Sequence, residues 1–137
     1  MFNEKVEDFT FFDFAAQADR TRLKSNQFSI NRKRKNQMLT FNKEVSCLAM
    51  ERGLLFLRIR KDNITGDLHL VFTKDTGLPV TPTGTLKTNV LARSPQLISF
   101  LEKELCLPPG DSRCIALMSE DLSNSPDYLT FKILGKA

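Results

Sequence analysis

The sequence contains few of the residues on which catalytic sites are usually built. Tryptophan is absent, and histidine and tyrosine occur once each. The single histidine, His69, follows Asp67 on a predicted strand, where a lone imidazole lacks the partner and pocket of a general base. The six glycines are scattered singly, so there is no glycine-rich phosphate loop, and no serine or cysteine lies in a nucleophile elbow. We therefore expect a protein that is not an enzyme.

Cysteine and clustered carboxylates are also scarce. There are three cysteines, Cys47, Cys106 and Cys114. This is an odd number, and their spacing is not that of zinc ligands or of a redox motif. Their positions in predicted helices and a predicted strand favour reduced, mostly buried thiols of a cytoplasmic protein. Asp62 and Asp67 flank a predicted turn but lack the remaining ligands of a calcium loop. We expect no metal and no cofactor.

Long apolar runs are missing as well. No stretch approaches the roughly 18 apolar residues of a membrane span, and the opening MFNEKVEDF is too acidic for a secretory signal peptide. Hydrophobic residues nevertheless make up 41% of the chain and charged residues 26%, the balance of a folded globular protein. The sequence predicts one soluble domain, residues 1–137, with eleven phenylalanines as its aromatic core.

Basic charge is concentrated in one block. The net charge is −4 over residues 1–19, +10 over residues 20–61 and −2 over residues 62–137. Such asymmetry is typical of a surface that binds a polyanion. Seven basic residues and no acidic one lie between positions 20 and 35, and these are the candidate phosphate contacts: Arg20, Arg22, Lys24, Arg32, Lys33, Arg34 and Lys35.

Two further groups extend this hypothesis. Arg58 and Arg60 share one face of a predicted strand with Phe56 and would enlarge the basic surface. Phe28 lies among the basic residues and is a candidate platform on which a base could stack. Other interpretations stay open: the run RKRK as a solvated turn or as protection of a sheet edge against aggregation, and Phe28, which alternates with Ile30, as a core residue.

The residue pattern predicts an α+β fold, in which an antiparallel sheet of about five to eight strands carries two helices on one face or at one end. Period-two alternation predicts strands at about 27–31, 37–41, 54–61, 67–74, 113–118 and 128–134, with weaker ones at 9–14 and 85–91. Asn42 and the pair Ser94-Pro95 predict helix starts, for helices over 43–51 and 95–105. Residues 75–84 are predicted to be a loop, with at most an edge strand. The order strand, polar cap, helix, strand occurs twice, at about 37–60 and 85–118.

Residues 38–77, which begin MLTFNKEVSCLAM, combine a strand, an Asn-Lys-Glu helix start, a short helix and a hairpin. This arrangement resembles small bacterial proteins of the transcriptional positive-cofactor and Whirly-like fold. The resemblance implies single-stranded DNA or RNA binding on a curved antiparallel sheet, by a homodimer that assists transcription or DNA metabolism. TFNKEV also resembles the swapped-hairpin transition-state regulators, which bind duplex DNA as dimers. The chain departs from them at Arg52-Gly53-Leu54, where they have Gly-Asp, and is longer than one such unit.

The sequence thus predicts nucleic-acid binding through a basic sheet face or edge of a cytoplasmic protein. The alternative is a protein-interaction or dimerisation module that uses a sheet edge or the second helix. A ligand-binding domain is the third possibility, and it would require a closed apolar pocket.

Overall fold

The computed structural model describes residues 2–6, 9–13, 23–33, 35–83, 87–110, 112–120 and 126–137. Its first two strands, β1 (Phe2–Val6) and β2 (Phe9–Asp13), form a two-stranded antiparallel sheet of their own. The remaining described strands belong to one nine-stranded sheet. They are β3 (Gln27–Asn31), β4 (Met38–Phe41), β5 (Phe56–Lys61), β6 (Leu68–Thr73), β7 (Leu78–Pro79), β8 (Thr81–Thr83), β9 (Asn89–Arg93), β10 (Arg113–Glu120) and β11 (Tyr128–Lys136).

The nine-stranded sheet closes almost completely on itself. Its order is β7-β5-β6-β11-β10-β3-β4-β9-β8, and all neighbours are antiparallel. The two outermost strands, β7 and β8, are consecutive in the chain, with only Val80 between them. Segment 78–83 therefore pairs first with β5 and then with β9, and the backbone N–H of Val80 donates to Leu55 O at 2.9 Å. The result is a nearly closed barrel.

The expected α+β fold is wrong. The described residues are mostly β, with more than the expected five to eight strands and only two short helices among them, α1 (Lys43–Glu51) and α2 (Pro95–Glu104). The physical reason is segment 78–83: its prolines and neighbouring glycines predict a loop, yet it joins both sheet edges. Among the described residues, no helix is long and apolar enough to cross a membrane.

The two helices lie at opposite ends of the barrel. Each follows the last residue of a strand, α1 after β4 and α2 after β9, and these neighbouring strands are antiparallel. We refer to the α1 end and the α2 end. The β3–β4 turn, the tip of the β5–β6 hairpin, residues 105–110 and Ser112 are at the α2 end, because the strands that lead into them run that way. Residues 23–26 and the β6–β7 loop are at the α1 end.

The topology has an internal two-fold symmetry. The order β3, β4, α1, β5, β6 recurs as β8, β9, α2, β10, β11. Segment 78–83 counts as one barrel strand in this comparison. When the two halves are exchanged, each strand pairing becomes a pairing that is also present in the barrel. For example, β3–β4 becomes β8–β9, and β5–β6 becomes β10–β11. The pairings β6–β11 and β4–β9 convert into themselves. The repeated pattern in the sequence therefore corresponds to two halves of one ring.

Phenylalanine fills the barrel interior, as expected. Phe28 stacks on Phe41 with ring centroids 6.1 Å apart, and Phe41 meets Phe72 edge to face at 4.9 Å. Phe72 in turn meets Phe131 edge to face at 6.0 Å. Alternate residues of the strands point inward beside these rings, so that burial removes their apolar surface from water and stabilises the fold.

Asn42 caps α1, as predicted. Its Oδ1 accepts from the backbone N–H of Val45 at 2.9 Å. Its Nδ2 also donates to two carbonyl oxygens of the chain that enters β3, Ser25 O at 2.9 Å and Gln27 O at 3.0 Å. The side chain is almost completely buried. One amide therefore joins the start of α1 to a segment on the neighbouring strand.

The predicted cap of α2 is confirmed too, but it makes fewer bonds. Ser94 Oγ accepts from the backbone N–H of Leu97 at 3.1 Å, and Pro95 occupies the first turn.

At the α1 end, buried Ser46 of α1 donates to Phe41 O at 3.3 Å and accepts from the backbone N–H of Val90 at 2.9 Å. Polar contacts thus attach α1 to β4 and β9.

Candidate nucleic-acid interface

The structure divides the predicted basic residues among separate parts of the barrel. Arg20, Arg22 and Arg34 lie outside the described residues. Lys24 is exposed at the α1 end, whereas Lys33 and Lys35 are exposed in the β3–β4 turn at the α2 end. The hairpin that carries Arg58 and Arg60 does not neighbour this turn, because β5 and β3 are four strand positions apart in the ring. A single continuous basic surface is therefore absent from the described part of the chain.

Phe28 is not a stacking platform. Its side chain has no exposed surface, and its ring packs against Phe41 inside the barrel. The alternation of Phe28 with Ile30 places both side chains on the inner face of β3, where a base cannot reach them. The stacking prediction is wrong, and the interpretation of Phe28 as a core residue is correct.

Arg32 has a structural contact in addition to its charge. Its Nη2 donates to Pro108 O at 2.6 Å, and its backbone N–H donates to Ser112 O at 2.8 Å. Both acceptors belong to the segment that follows α2. The half-buried Arg32 therefore holds the β3–β4 turn against that segment.

Arg58 and Arg60 lie on the outer face of β5, where both are exposed, while the intervening Leu57 points into the core. Phe56 shares their face, as the alternation predicts. The strand register extends this face over β6 and β11 and aligns outward side chains in three rows across the strands. The rows are Arg60–His69–Lys132, Arg58–Val71–Thr130 and Phe56–Thr73–Tyr128. The side chain of Thr130, in the middle row, is completely buried. We call this surface the β5–β6–β11 face.

The row nearest the α2 end is cationic. Arg60 is exposed, and Lys132, whose side chain is 43% exposed, forms an ion pair with Asp67 at 3.4 Å. His69 lies between them, and its buried Nδ1 makes no hydrogen bond to any residue that the structure describes. Because neighbouring strands are about 4.8 Å apart, the row spans roughly 10 Å.

The row nearest the α1 end is aromatic. Phe56 and Tyr128 are both half-exposed and flank Thr73. The two rings belong to strands two positions apart, so they are separated by roughly 10 Å. Along each strand, about 13 Å separates the aromatic row from the cationic row. The face therefore combines half-buried rings with positive charge over the area of a few nucleotides.

Gly77 fixes the position of Arg58 between these rows. Its φ of +123° is a conformation that glycine adopts readily and other residues rarely adopt. A Cβ at this position would overlap Leu57 O and lie 2.8 Å from Arg58 Cγ. The β6–β7 loop can thus pack directly on the aliphatic stem of Arg58. The guanidinium group at the end of that stem stays exposed to solvent.

Sequence reasoning missed the part of this face that β11 supplies. The alternation in YLTFKIL already indicates that Tyr128, Thr130 and Lys132 share one side of a strand. The sequence does not show that this strand pairs with β6, because pairing between distant strands leaves no local signal. His69 is half-buried at the centre of the cationic row.

Each end of the barrel also carries a depression. The α2 cavity, of about 660 Å³, is lined by Arg32, Ser99, Glu102, Lys103, Leu107, Pro109, Gly110 and Ser112. The α1 groove, of about 380 Å³, is lined by Ser25, Asn26, Glu44, Val45, Leu48, Met118, Ser119, Glu120, Phe131 and Leu134. Neither is the closed apolar pocket that a ligand-binding domain would require, since charged side chains line both.

Asp62 serves the hairpin turn. Its Oδ1 accepts from the backbone N–H groups of Ile64 at 2.8 Å and Thr65 at 3.2 Å. These hydrogen bonds favour the charged carboxylate and lower the pKa of Asp62 below its ordinary value of 3.8, and the bond from Ile64 has the largest effect. In the described ranges, no three His, Cys, Asp or Glu side chains converge as metal ligands would.

The thiols differ from expectation. Cys114 is buried, but Cys47 and Cys106 are exposed, so the prediction of mostly buried cysteines is wrong. Cys47 lies on the outward side of α1, and Cys106 lies just beyond the end of α2. The short helices bury only one side each, and their other positions face solvent.

No protein-family model, curated protein or solved structure matches this chain. The resemblance to Whirly-like proteins therefore stays a prediction.

Proposed function

We propose that this protein binds single-stranded nucleic acid, DNA or RNA, across the β5–β6–β11 face. The observation that carries the proposal is the presence of a cationic row and an aromatic row on one outer sheet surface. Cationic side chains bind phosphates and release condensed counterions. Exposed rings stack on bases of any identity. A role as an accessory factor in transcription or DNA metabolism is part of the proposal.

The aromatic row favours single strands over duplexes. Phe56 and Tyr128 are half-buried on the outer face of the sheet, so part of each ring is accessible to a base. An unpaired, unstacked base has a free face for such a contact, whereas neighbouring base pairs occupy both faces of a base within a duplex.

The β3–β4 turn is a weaker candidate for this role. Lys33 and Lys35 are exposed and could attract phosphates, but the aromatic residue assigned to them, Phe28, is buried. A site made of lysines alone would bind through charge without stacking. The turn therefore provides a matched comparison for the β5–β6–β11 face.

The test is fluorescence anisotropy of a labelled single-stranded oligonucleotide at several salt concentrations, with duplex as competitor. The double variant Arg58→Glu/Arg60→Glu should weaken binding by at least about tenfold and lower the magnitude of the salt slope by about 2, because two phosphate contacts are lost. The control Lys33→Glu/Lys35→Glu changes the net charge equally. Equal loss in both variants would contradict this site.

Stacking can be separated from charge in the same assay. Phe56→Leu keeps an apolar side chain at the half-buried position but removes the ring. It should weaken binding by about tenfold, as expected for one stacked base, and leave the salt slope unchanged. A variant that binds as well as the wild type would show that the aromatic row takes no part.

A protein-interaction role is the second candidate. Phe100 on α2 is 38% exposed, and Leu134, which lines the α1 groove, is 53% exposed, so apolar contacts are available at both sites. Pairing along a sheet edge is less suited, because segment 78–83 joins the two edges. If neither oligonucleotide form binds at low salt, this candidate is preferred. The homodimer stays a prediction, which light scattering with and without oligonucleotide checks.

The proposed location is the cytoplasm. Cys47 and Cys106 are exposed and unpaired, a state that a reducing compartment maintains.

A further inference from the structure

The basic β3–β4 turn, which is not part of the β5–β6–β11 face, borders the α2 cavity. Arg32 of the turn forms part of the cavity wall, together with α2, the segment after it and the residue before β10. The volume of about 660 Å³ lies within the range of small-molecule sites. Its described lining contains no residue of β5, β6 or β11, so the cavity can be tested separately from that face.

The lining is rich in groups that donate hydrogen bonds to anions. Arg32 contributes a guanidinium, Lys103 an ammonium, and Ser99 and Ser112 contribute hydroxyls, whereas Glu102 is the one acidic side chain of the described lining. The 2.6 Å bond from Arg32 to Pro108 O holds the guanidinium in place before any ligand binds. Such preorganisation reduces the entropy lost on binding.

The segment that follows α2 supplies the apolar part of the lining. Cys106 has φ +50°, the left-handed conformation that commonly ends a helix, and its backbone N–H donates to Lys103 O at 3.4 Å. The backbone N–H of Leu107 donates to Glu102 O at 3.1 Å and turns the chain back towards α2. Leu107 and Pro109 thereby provide apolar surface beside the polar groups.

We infer that the α2 cavity binds a terminal phosphoryl group, with the group attached to it lying against Leu107 and Pro109. A phosphate monoester carries close to two negative charges and three acceptor oxygens, and it can accept from a guanidinium, an ammonium and a hydroxyl together. A carboxylate carries one charge and two oxygens and would leave part of this donor set unused. The exposed Lys33 and Lys35 of the adjoining turn raise the local concentration of anions.

Two sources share this chemistry. The phosphoryl group can belong to a small molecule such as a nucleoside monophosphate, or to the 5′ end of a nucleic-acid strand. Both place a dianionic terminal phosphate in the cavity, and the experiment distinguishes them.

The experiment is calorimetric titration of the whole protein with inorganic phosphate and with adenosine monophosphate, at low ionic strength. Both should bind saturably, and Lys103→Ala should weaken both by about tenfold because a charge-assisted hydrogen bond is lost. Lys43→Ala is the matched control, an exposed lysine on the other helix. Lys103 is itself exposed, so a melting curve should show both variants folded.

The second step measures how the variant Arg58→Glu/Arg60→Glu binds two oligonucleotides, one with a 5′ phosphate and one with a 5′ hydroxyl. Binding of adenosine monophosphate without a preference between the oligonucleotides assigns the cavity to small molecules, and a preference for the 5′ phosphate assigns it to strand ends. Either result supports the inference. Absence of saturable binding by both phosphate and adenosine monophosphate, or equal weakening by Lys43→Ala, overturns it. Retained phosphate binding in this variant separates the inference from the proposed function.

Discussion

The two ends of the barrel occupy equivalent places in the two-fold topology but differ in charge. At the α2 end, Arg32 and Lys103 line the cavity with one carboxylate, Glu102. At the α1 end, Glu44 and Glu120 line the groove, and no cation is present in its described lining. The same strand and helix arrangement is therefore compatible with either sign of charge. The positive charge at the α2 end is not required by the fold, which makes it evidence about function.

The helix cap and the glycine at the α1 end also have closer contacts than their counterparts at the α2 end. At the α1 end, a buried amide joins α1 to β3, and a glycine lets the β6–β7 loop lie directly on β5. At the α2 end, α2 begins with a single hydroxyl cap, and Gly110 has open space around the position of a Cβ. We expect substitutions at the α1 end to cost more stability than their counterparts at the α2 end.

The largest difference should come from the two glycines. Gly77→Ala adds a Cβ that overlaps backbone and places a side chain at φ +123°, and we expect it to lower the free energy of unfolding by about 4 kcal/mol. Gly110→Ala at φ +94° meets no atom within 4 Å, so the loss should be about 1–2 kcal/mol of backbone strain. Urea unfolding of both variants provides the measurement. Equal losses would show that the close approach at Gly77 is relieved by movement of the loop.

The helix caps should show a smaller difference. Asn42→Ala removes the cap and both bonds to β3 from a buried site, with an expected loss of about 3 kcal/mol. Ser94→Ala removes one capping bond, with an expected loss of about 1 kcal/mol. Thermal and urea unfolding would measure both. Similar values for the two variants would mean that the Ser25 and Gln27 carbonyls find water as a partner.

The smallest effect should be the acid sensitivity of the β5–β6 hairpin tip. The hydrogen bonds from Ile64 and Thr65 hold the pKa of Asp62 below 3.8 in the folded protein. The carboxylate therefore stabilises the folded state above this ordinary value, and the contribution is lost as pH falls through the lower folded pKa. Asp62→Asn should flatten the loss of stability in that acidic range, while its amide oxygen still accepts both bonds. Unfolding curves from neutral pH down to about pH 2 test this, and parallel profiles for the two proteins would contradict it.

Local features of the fold were predictable from the sequence. Asn42 and Ser94-Pro95 identify the helix starts, because an orphan backbone N–H needs an acceptor and proline fits the first turn. The β5–β6 hairpin and the outward placement of Arg58 and Arg60 follow from period-two alternation. Each of these features depends on residues that are neighbours in the chain.

Closure of the ring and composition of the face could not be predicted in the same way. Segment 78–83 contains Pro79 and Pro82, which normally indicate a loop, and it is a strand because β5 and β9 supply its partners. The β5–β6–β11 face requires β11 to lie beside β6, a long-range pairing. Phe28 and Arg58 illustrate the difficulty, since both lie in the basic block but one points into the barrel and the other into solvent.

The two-fold topology has a consequence for how such a barrel can assemble. One half, β3 to β6 with α1, contains only part of the ring and leaves strands without partners. Two identical halves on separate chains could complete the ring, but its integrity would then depend on protein concentration, and both ends would carry the same residues. In this chain the halves are covalently joined, so closure is intramolecular. Each end can then acquire its own side chains, as the opposite charges of the α1 groove and the α2 cavity illustrate.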